Sequence, residues 1–368
     1  MVGYIIGVGM FGLPYLISIS GILTFFAFIL VLGAVQYLVH LTYVNLIVVT
    51  EEYHRMPGYA GIYLGKWGKI TIFAAKMVGN LGAMLAYIII TGIFLKELFG
   101  PVLGGSEFIY ASLLFFIEAA IVYYGIKTIA KAEFFMTIFL LLVVALIAVK
   151  GSAVVNLANF KLIDWRYLLL PYGAMLFSLD GCGSLPIVVK LLKKDKKAVK
   201  SVVRVGTILP ILIVIIFTLV VVGISGAATT PDALVGIKSI LNDGVILFSL
   251  IFGVLTMITS FLLVAESVKE TLWWDFKVNK NLAWGLAVFI PYIFYVFGLR
   301  NLADVISFAG GVAGSLSVIM LIAIFMKLKK KKGKLPLFKR VPPDFIVYVL
   351  LALFIGGMFY EIYYYLIK

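Results

Sequence analysis

Long apolar runs separated by short polar and basic stretches set the pattern of this chain. Eleven runs stand out: 1–20, 22–49, 69–96, 107–125, 132–149, 167–189, 203–225, 244–268, 281–298, 302–326 and 344–367. Most reach the roughly 20 residues that a helix needs to cross a bilayer core. The fifth and ninth are near the short limit. The pattern predicts an all-α polytopic membrane protein.

Two of these runs are interrupted alike. Gly7-Val8-Gly9-Met10-Phe11-Gly12-Leu13-Pro14 lies in the first, and Asp180-Gly181-Cys182-Gly183-Ser184-Leu185-Pro186 in the sixth. Glycine holds a helix poorly and proline lacks an amide donor, so each run predicts an unwound segment. Unpaired backbone in lipid is so costly that such breaks survive only where they line a buried cavity. Matching interruptions in two halves of a chain point to a transporter substrate site. Breaks in the first and sixth of eleven spans predict five plus five plus one. The first repeat then covers 1–149, an inverted second repeat 167–326, and an additional span 344–367.

Composition agrees. Hydrophobic residues make up 63% and charged residues 13%, outside the range of soluble domains. The net charge of +14 does not form basic stripes interleaved with aromatics, so nucleic acid is not expected as a partner. Lys and Arg cluster instead between apolar runs, at 55–69, 127–131, 190–204, 269–280 and 327–340. With the N-terminus inside, 23 of the 31 fall on the cytoplasmic face. The outer face receives 7: Lys96, Lys150, Lys161, Arg166, Lys238, Arg300 and Lys368. That asymmetry predicts a cytoplasmic N-terminus and an outer C-terminus, in what is expected to be the cell membrane. The lysine run at 327–334 reads as an inside anchor that also meets anionic lipid. The single cysteine, Cys182, excludes an intramolecular disulfide and reads as a small packing residue. No signal peptide is evident. About six residues precede the first glycine pair, roughly 9 Å of helix. So short an inner half-helix leads us to expect missing N-terminal residues or an internal start.

Gly7-Val-Gly-Met-Phe-Gly-Leu-Pro-Tyr15 resembles the first-helix signature of the amino acid/auxin permease family, within the amino acid-polyamine-organocation superfamily, and of its bacterial aromatic amino acid permease relatives. Thr259-Ser260-Phe261-Leu262, Glu270-Thr-Leu-Trp-Trp-Asp-Phe-Lys277 and Ser307-Phe-Ala-Gly-Gly-Val-Ala-Gly314 follow in the expected order over essentially the whole chain. The resemblance implies a LeuT-type 5+5 inverted repeat with helices 1 and 6 broken, and ion-coupled amino acid transport.

An amino acid offers a carboxylate and an ammonium in fixed relation. Free amides at the start of an outer half-helix suit the carboxylate, which selects Gly7, Val8, Gly9 and Met10. Free carbonyls where the sixth span unwinds suit the ammonium, which selects Phe177, Ser178 and Leu179. The competing reading is that the glycines only allow close helix packing. Asp180, a carboxylate at mid-bilayer depth, reads either as a helix cap or as a proton or ammonium partner. Tyr87 lies midway along the third span. Its hydroxyl is placed near the carboxylate by resemblance to the fold, against the alternative of an ordinary packed tyrosine. Gly310, Gly311 and Gly314 thin the tenth span for a bulky side chain, for a gate hinge, or for packing. The expected walls, Met10, Phe11, Phe177, Leu179 and Phe308, are apolar and carry no Lys or Arg, which favours a neutral amino acid.

No cofactor is expected beyond a coupling ion. Thr259 and Ser260 are adjacent hydroxyls near the middle of the eighth span. By resemblance to the fold's sodium site, the carbonyls of Gly3, Ile6 and Thr256 complete a candidate oxygen cage. Against it, such hydroxyls often bond back to the preceding turn, and proton coupling through Asp180 or Glu266 is the second reading. Elsewhere, Lys76 and Glu118 stand at equal depth for an ion pair, though Lys76 can also snorkel. Glu266 reads as an inner gate or a solvated surface group, and His40 and Asn45 as interhelical hydrogen-bonders. A membrane channel is the alternative from another class, but no filter-like repeat is present. No HExxH or Walker motif supports an enzyme or an ATP-driven pump. The oligomeric state is left open.

Overall fold

The computed structural model describes residues 1–125, 129–238, 240–241, 244–332, 335–338 and 340–367. Lys127, Lys334, Lys339 and Lys368 of the charge clusters lie outside them, as do the side chains of Lys131, Lys331 and Lys332. In chain order the helices begin with α1 (Val2–Ile5), α2 (Val8–Ser20), α3 (Ile22–Val49), α4 (Met56–Leu103) and α5 (Glu107–Tyr124). Then come α6 (Ile129–Ser152), α7 (Tyr172–Leu179), α8 (Leu185–Leu191), α9 (Lys196–Ser225) and α10 (Leu234–Lys238). The series ends with α11 (Gly244–Glu270), α12 (Lys280–Val296), α13 (Leu302–Phe308), α14 (Ser315–Lys332) and α15 (Asp344–Ile367). Among the described residues, nine helical stretches are long and apolar enough to cross a membrane. The shorter apolar helices α2 and α12 bring the spans to the eleven read from the sequence.

The boundaries differ in instructive places. The fifth span is longer than its apolar run, because α6 extends to 24 residues. The third is preceded by a short helical stretch. Gly65, at φ +77°, bends the chain there, in a region that disfavours side chains. The sixth begins only at Tyr172, after a turn ending at Pro171.

Both interruptions are present, but the prolines do not make them. Helix α1 stops at Ile6, whose backbone is extended, and α2 restarts after Gly7. Pro14 sits inside α2 without breaking it. Pro186 occupies the first turn of α8, where the missing N–H would have had no partner anyway. The break in the sixth span runs from Asp180 through a short 3₁₀ turn at Cys182–Ser184.

Packing sorts the helices into two groups. Helices α2, α3, α7, α8 and α9 contact one another, while α4, α5, α11 and α12 form a second set. The tenth span loosens into a π-helical turn at Ala309–Gly314 between α13 and α14, and this turn touches both α4 and α7. Helix α15 lies against α14 and that turn. In the loop between α6 and α7, the N–H of Asp164 bonds to the carbonyl of Ser20. The Arg166 guanidinium and the Lys161 ammonium hold the Asp164 carboxyl well below the usual carboxylate range.

Candidate functional site

A cavity opens where the two breaks meet. Gly7, Val8 and Gly9 line it from the first span, Leu176, Phe177 and Asp180 from the sixth, and Lys76, Asn80 and Tyr87 from α4. Ser260 of α11 and Gly310 and Gly314 of the tenth span close it. On α4 and α11 its walls extend from mid-helix toward the ends that carry Lys69 and Lys269.

The first half of the site is an amide niche. Among the described residues, no hydrogen bond takes up the N–H of Gly7, Val8 or Gly9, whereas Met10 N–H bonds to the Gly7 carbonyl. These are the orphan donors of a helix N-terminus, at the positive end of its dipole. A Cβ on Gly7 would sit 3.7 Å from the Tyr87 hydroxyl, so Tyr87 stands beside the niche. Gly9 is different: a Cβ there would overlap Ser178 Oγ and approach Phe177 Cδ1 to 2.9 Å. Its hydrogen lets α2 lie against α7.

The second half is the unwound sixth span. Among the described residues, no backbone amide bonds to the carbonyls of Ser178 and Leu179, while that of Phe177 accepts the Asp180 N–H at 3.4 Å. Of these three residues only Phe177 lines the cavity. Asp180 fills the capping role read for it and also pairs with a lysine. Its Oδ1 caps the break by accepting the Cys182 N–H at 3.0 Å, and its Oδ2 lies 3.3 Å from Lys76 Nζ.

That pairing corrects two expectations. Lys76 does not pair with Glu118, which is buried on α5, and it lines the cavity, so the walls carry a cation after all. Of the expected apolar walls, Phe177 alone is in place. Met10 and Leu179 are buried outside the cavity, Phe11 packs edge-on against Phe94 and Phe217, and Phe308 stacks edge-on to Tyr365. Gly310 and Gly311 mainly serve packing. A Cβ on the first would overlap the Gly173 carbonyl, and one on the second would overlap Glu361. Cys182 is a buried free thiol, as its packing role requires.

His40 holds the break from outside. Thr207 donates its hydroxyl to the Val203 carbonyl at 2.8 Å, so it accepts from His40 Nδ1 at 2.9 Å. His40 Nε2 then accepts the Gly181 N–H at 3.0 Å. This network fixes a neutral ring with its proton on Nδ1. Ligand atoms of His40, Asp180 and Cys182 lie within 4.8 Å of one another. Both ring nitrogens are committed and Asp180 is paired, however, so the donors do not fit a metal ion. Asn45 also bonds between elements, through Oδ1 to Leu337 N–H.

The candidate ion residues are partly assembled. Gly3 and Ser260 line the cavity, and Ile6 sits at the helix break. Thr259 donates its hydroxyl to the Thr256 carbonyl at 2.9 Å, the back-bonding that competes with a cage. Glu266 pairs with Lys269 at 2.6 Å and does not line the cavity. Sequence reasoning missed Asn80 and the cavity role of Lys76. Spacing was the available signal, since Lys76 and Asn80 share a helical face with Tyr87.

Comparisons with known proteins follow the same lines. The chain is 23% identical over 344 residues to glutamine transporter 2 of Aliivibrio fischeri, covering 90% of this chain and 88% of that protein. It is 24% identical over 355 residues to tyrosine-specific transport system 1 of Haemophilus influenzae, covering 91% and 88%. A crystal structure of MhsT in complex with L-phenylalanine superposes with a TM-score of 0.70 at 15% identity, covering 98% of this chain and 96% of that one. That likeness shows the LeuT-type fold. Residues 1–361 match the model of the tryptophan/tyrosine permease family, and with that match over nearly its whole length the chain belongs to this family of membrane transporters.

Proposed function

We propose that this protein is a secondary active transporter of a neutral amino acid, coupled to a cation and working by alternating access. The carrying observation is the trio of unbonded amides at Gly7, Val8 and Gly9, which shares one cavity with Asp180, Phe177 and Tyr87. The amides take the substrate carboxylate, with the Tyr87 hydroxyl beside it. The unwound carbonyls of the sixth span take the ammonium. The relatives' names, a tyrosine-specific system and a glutamine transporter, both concern amino acids without net charge. Helices α2, α3, α7, α8 and α9 rock against α4, α5, α11 and α12. The N-terminus is cytoplasmic in the cell membrane, so the cavity walls reach toward the inside and the conformation faces inward.

For the coupling ion, sodium in a cage of Gly3, Ile6, Thr256, Thr259 and Ser260 oxygens remains the first reading, supported by Gly3 and Ser260 lining the same cavity. The Thr259 back-bond favours the proton as the second, with Asp180 as the carboxyl group in the cavity. Counterflow in proteoliposomes tests the transport reading. Vesicles loaded with an unlabelled amino acid should concentrate the same labelled one, with tyrosine, tryptophan and glutamine as first probes. Absence of exchange across all twenty amino acids overturns it. Repeating uptake under a sodium gradient and under a proton gradient separates the two ions.

A further inference from the structure

Among the described residues that line the cavity, Lys76 is the one cationic side chain and Asp180 the one anionic side chain. They come from opposite packing groups, α4 and the break of the sixth span, and are 104 residues apart in sequence. Both side chains are about one-quarter to one-third exposed to the cavity, Lys76 at 24% and Asp180 at 32%. Asp180 is fixed from behind by the Cys182 amide, and Oδ2 is the oxygen that meets Lys76. Between the low-dielectric walls of a cavity a unit charge acts over several ångströms with less screening than in bulk water. An uncompensated Asp180 would therefore draw in any cation, including a cationic amino acid side chain. An uncompensated Lys76 would draw in an acidic one. Together they bring the cavity to zero formal charge.

We propose that Lys76 determines the charge class of the substrate: by neutralising Asp180 it limits the carrier to amino acids without net charge. The inference rests on the transport reading above and adds the residue that enforces its neutrality. It replaces the sequence-level reason for a neutral substrate, a wall free of cations, with a balanced pair. The ammonium of the zwitterion is tolerated because its own carboxylate accompanies it into the amide niche. A second positive charge on the side chain has no such partner while Lys76 occupies Asp180.

The test is competition in counterflow. The labelled probe is whichever of L-tyrosine, L-tryptophan or L-glutamine the wild type exchanges, and the competitors are L-lysine and L-glutamate. Wild type should resist both. Lys76→Met should let L-lysine compete, with its half-inhibitory concentration falling about tenfold or more, the scale expected for one charge largely screened by water. Asp180→Asn should shift the preference toward L-glutamate. The double variant Lys76→Met/Asp180→Asn carries no charge in the cavity and should return to the neutral profile. A Lys76→Met protein that exchanges the probe with the wild-type competition profile overturns the assignment. So does loss of exchange in Lys76→Met that the double variant fails to restore, since that outcome marks a structural role only. A wild type that exchanges no amino acid overturns the transport reading itself, a separate result.

Discussion

Glu361, on the last helix of the chain, accepts the backbone N–H of Gly173 through Oε1 at 3.0 Å. Gly173 lies in the first turn of α7, where amides lack an intrahelical acceptor. The carboxylate reaches it from a span outside the two five-helix repeats read from the sequence, and Gly311 leaves the room it needs. Glu361→Leu should therefore cost about 1–3 kcal/mol, the usual penalty for stranding a buried donor. Glu361→Gln keeps an acceptor oxygen and should retain most of the stability. Melting temperatures in detergent check this, and equal losses in the two variants would rule out the capping role.

The His40 bridge makes a second prediction. His40 joins Thr207 on α9 to the Gly181 amide in the break, so both partners belong to one network. His40→Ala and Thr207→Val should each destabilise the protein by about 0.5–1.5 kcal/mol. The double variant should lose less than their sum by about 0.5 kcal/mol or more, the mark of coupled groups. Strict additivity would show that the imidazole does not link the two.

Gly7 and Gly9 separate binding from packing. A methyl on Gly7 meets only the Tyr87 hydroxyl at ordinary contact distance, so Gly7→Ala should leave the empty protein's melting temperature almost unchanged. It should weaken substrate binding by about tenfold, or 1.4 kcal/mol, by crowding the amide niche. Gly9→Leu fails for a different reason, because its side chain would strike Ser178 and Phe177 and push α2 from α7. Isothermal titration on the Gly7 variant decides, and unchanged affinity would place the carboxylate elsewhere.

Replacing Thr259 and Ser260 together with Ala should abolish sodium dependence of uptake if their oxygens hold the ion. Ser260 lines the cavity and Thr259 bonds to its own helix, so most of the effect should come from Ser260→Ala alone. Uptake that stays sodium-driven in the double variant would move the ion site away from α11.

The spans and both breaks were legible because they rest on local properties. Apolar length gives the helices, and Gly7 and Gly181–Gly183 mark where they stop. The position of each break was less legible, since Pro14 looks disruptive yet its missing amide is tolerated within α2. The tertiary pairs lay beyond one-dimensional reading. Nothing near Lys76 announces Asp180 as its partner rather than Glu118, because depth in the bilayer is shared by many side chains. Glu361 carried a usable signal, a carboxylate within an apolar last span whose other acid, Asp344, is its first residue. Its target, the Gly173 amide, could emerge only from the folded arrangement.

The three idle amides at Gly7, Val8 and Gly9 also bear on how the resting protein behaves. Donors that no described protein group takes up meet whatever acceptor the cavity supplies, and a carboxylate satisfies them better than water does. Cargo that satisfies them stabilises the filled form in proportion to its occupancy. The filled carrier should thus outlast the vacant one in heat and detergent, and the vacant one should be the more prone to change shape.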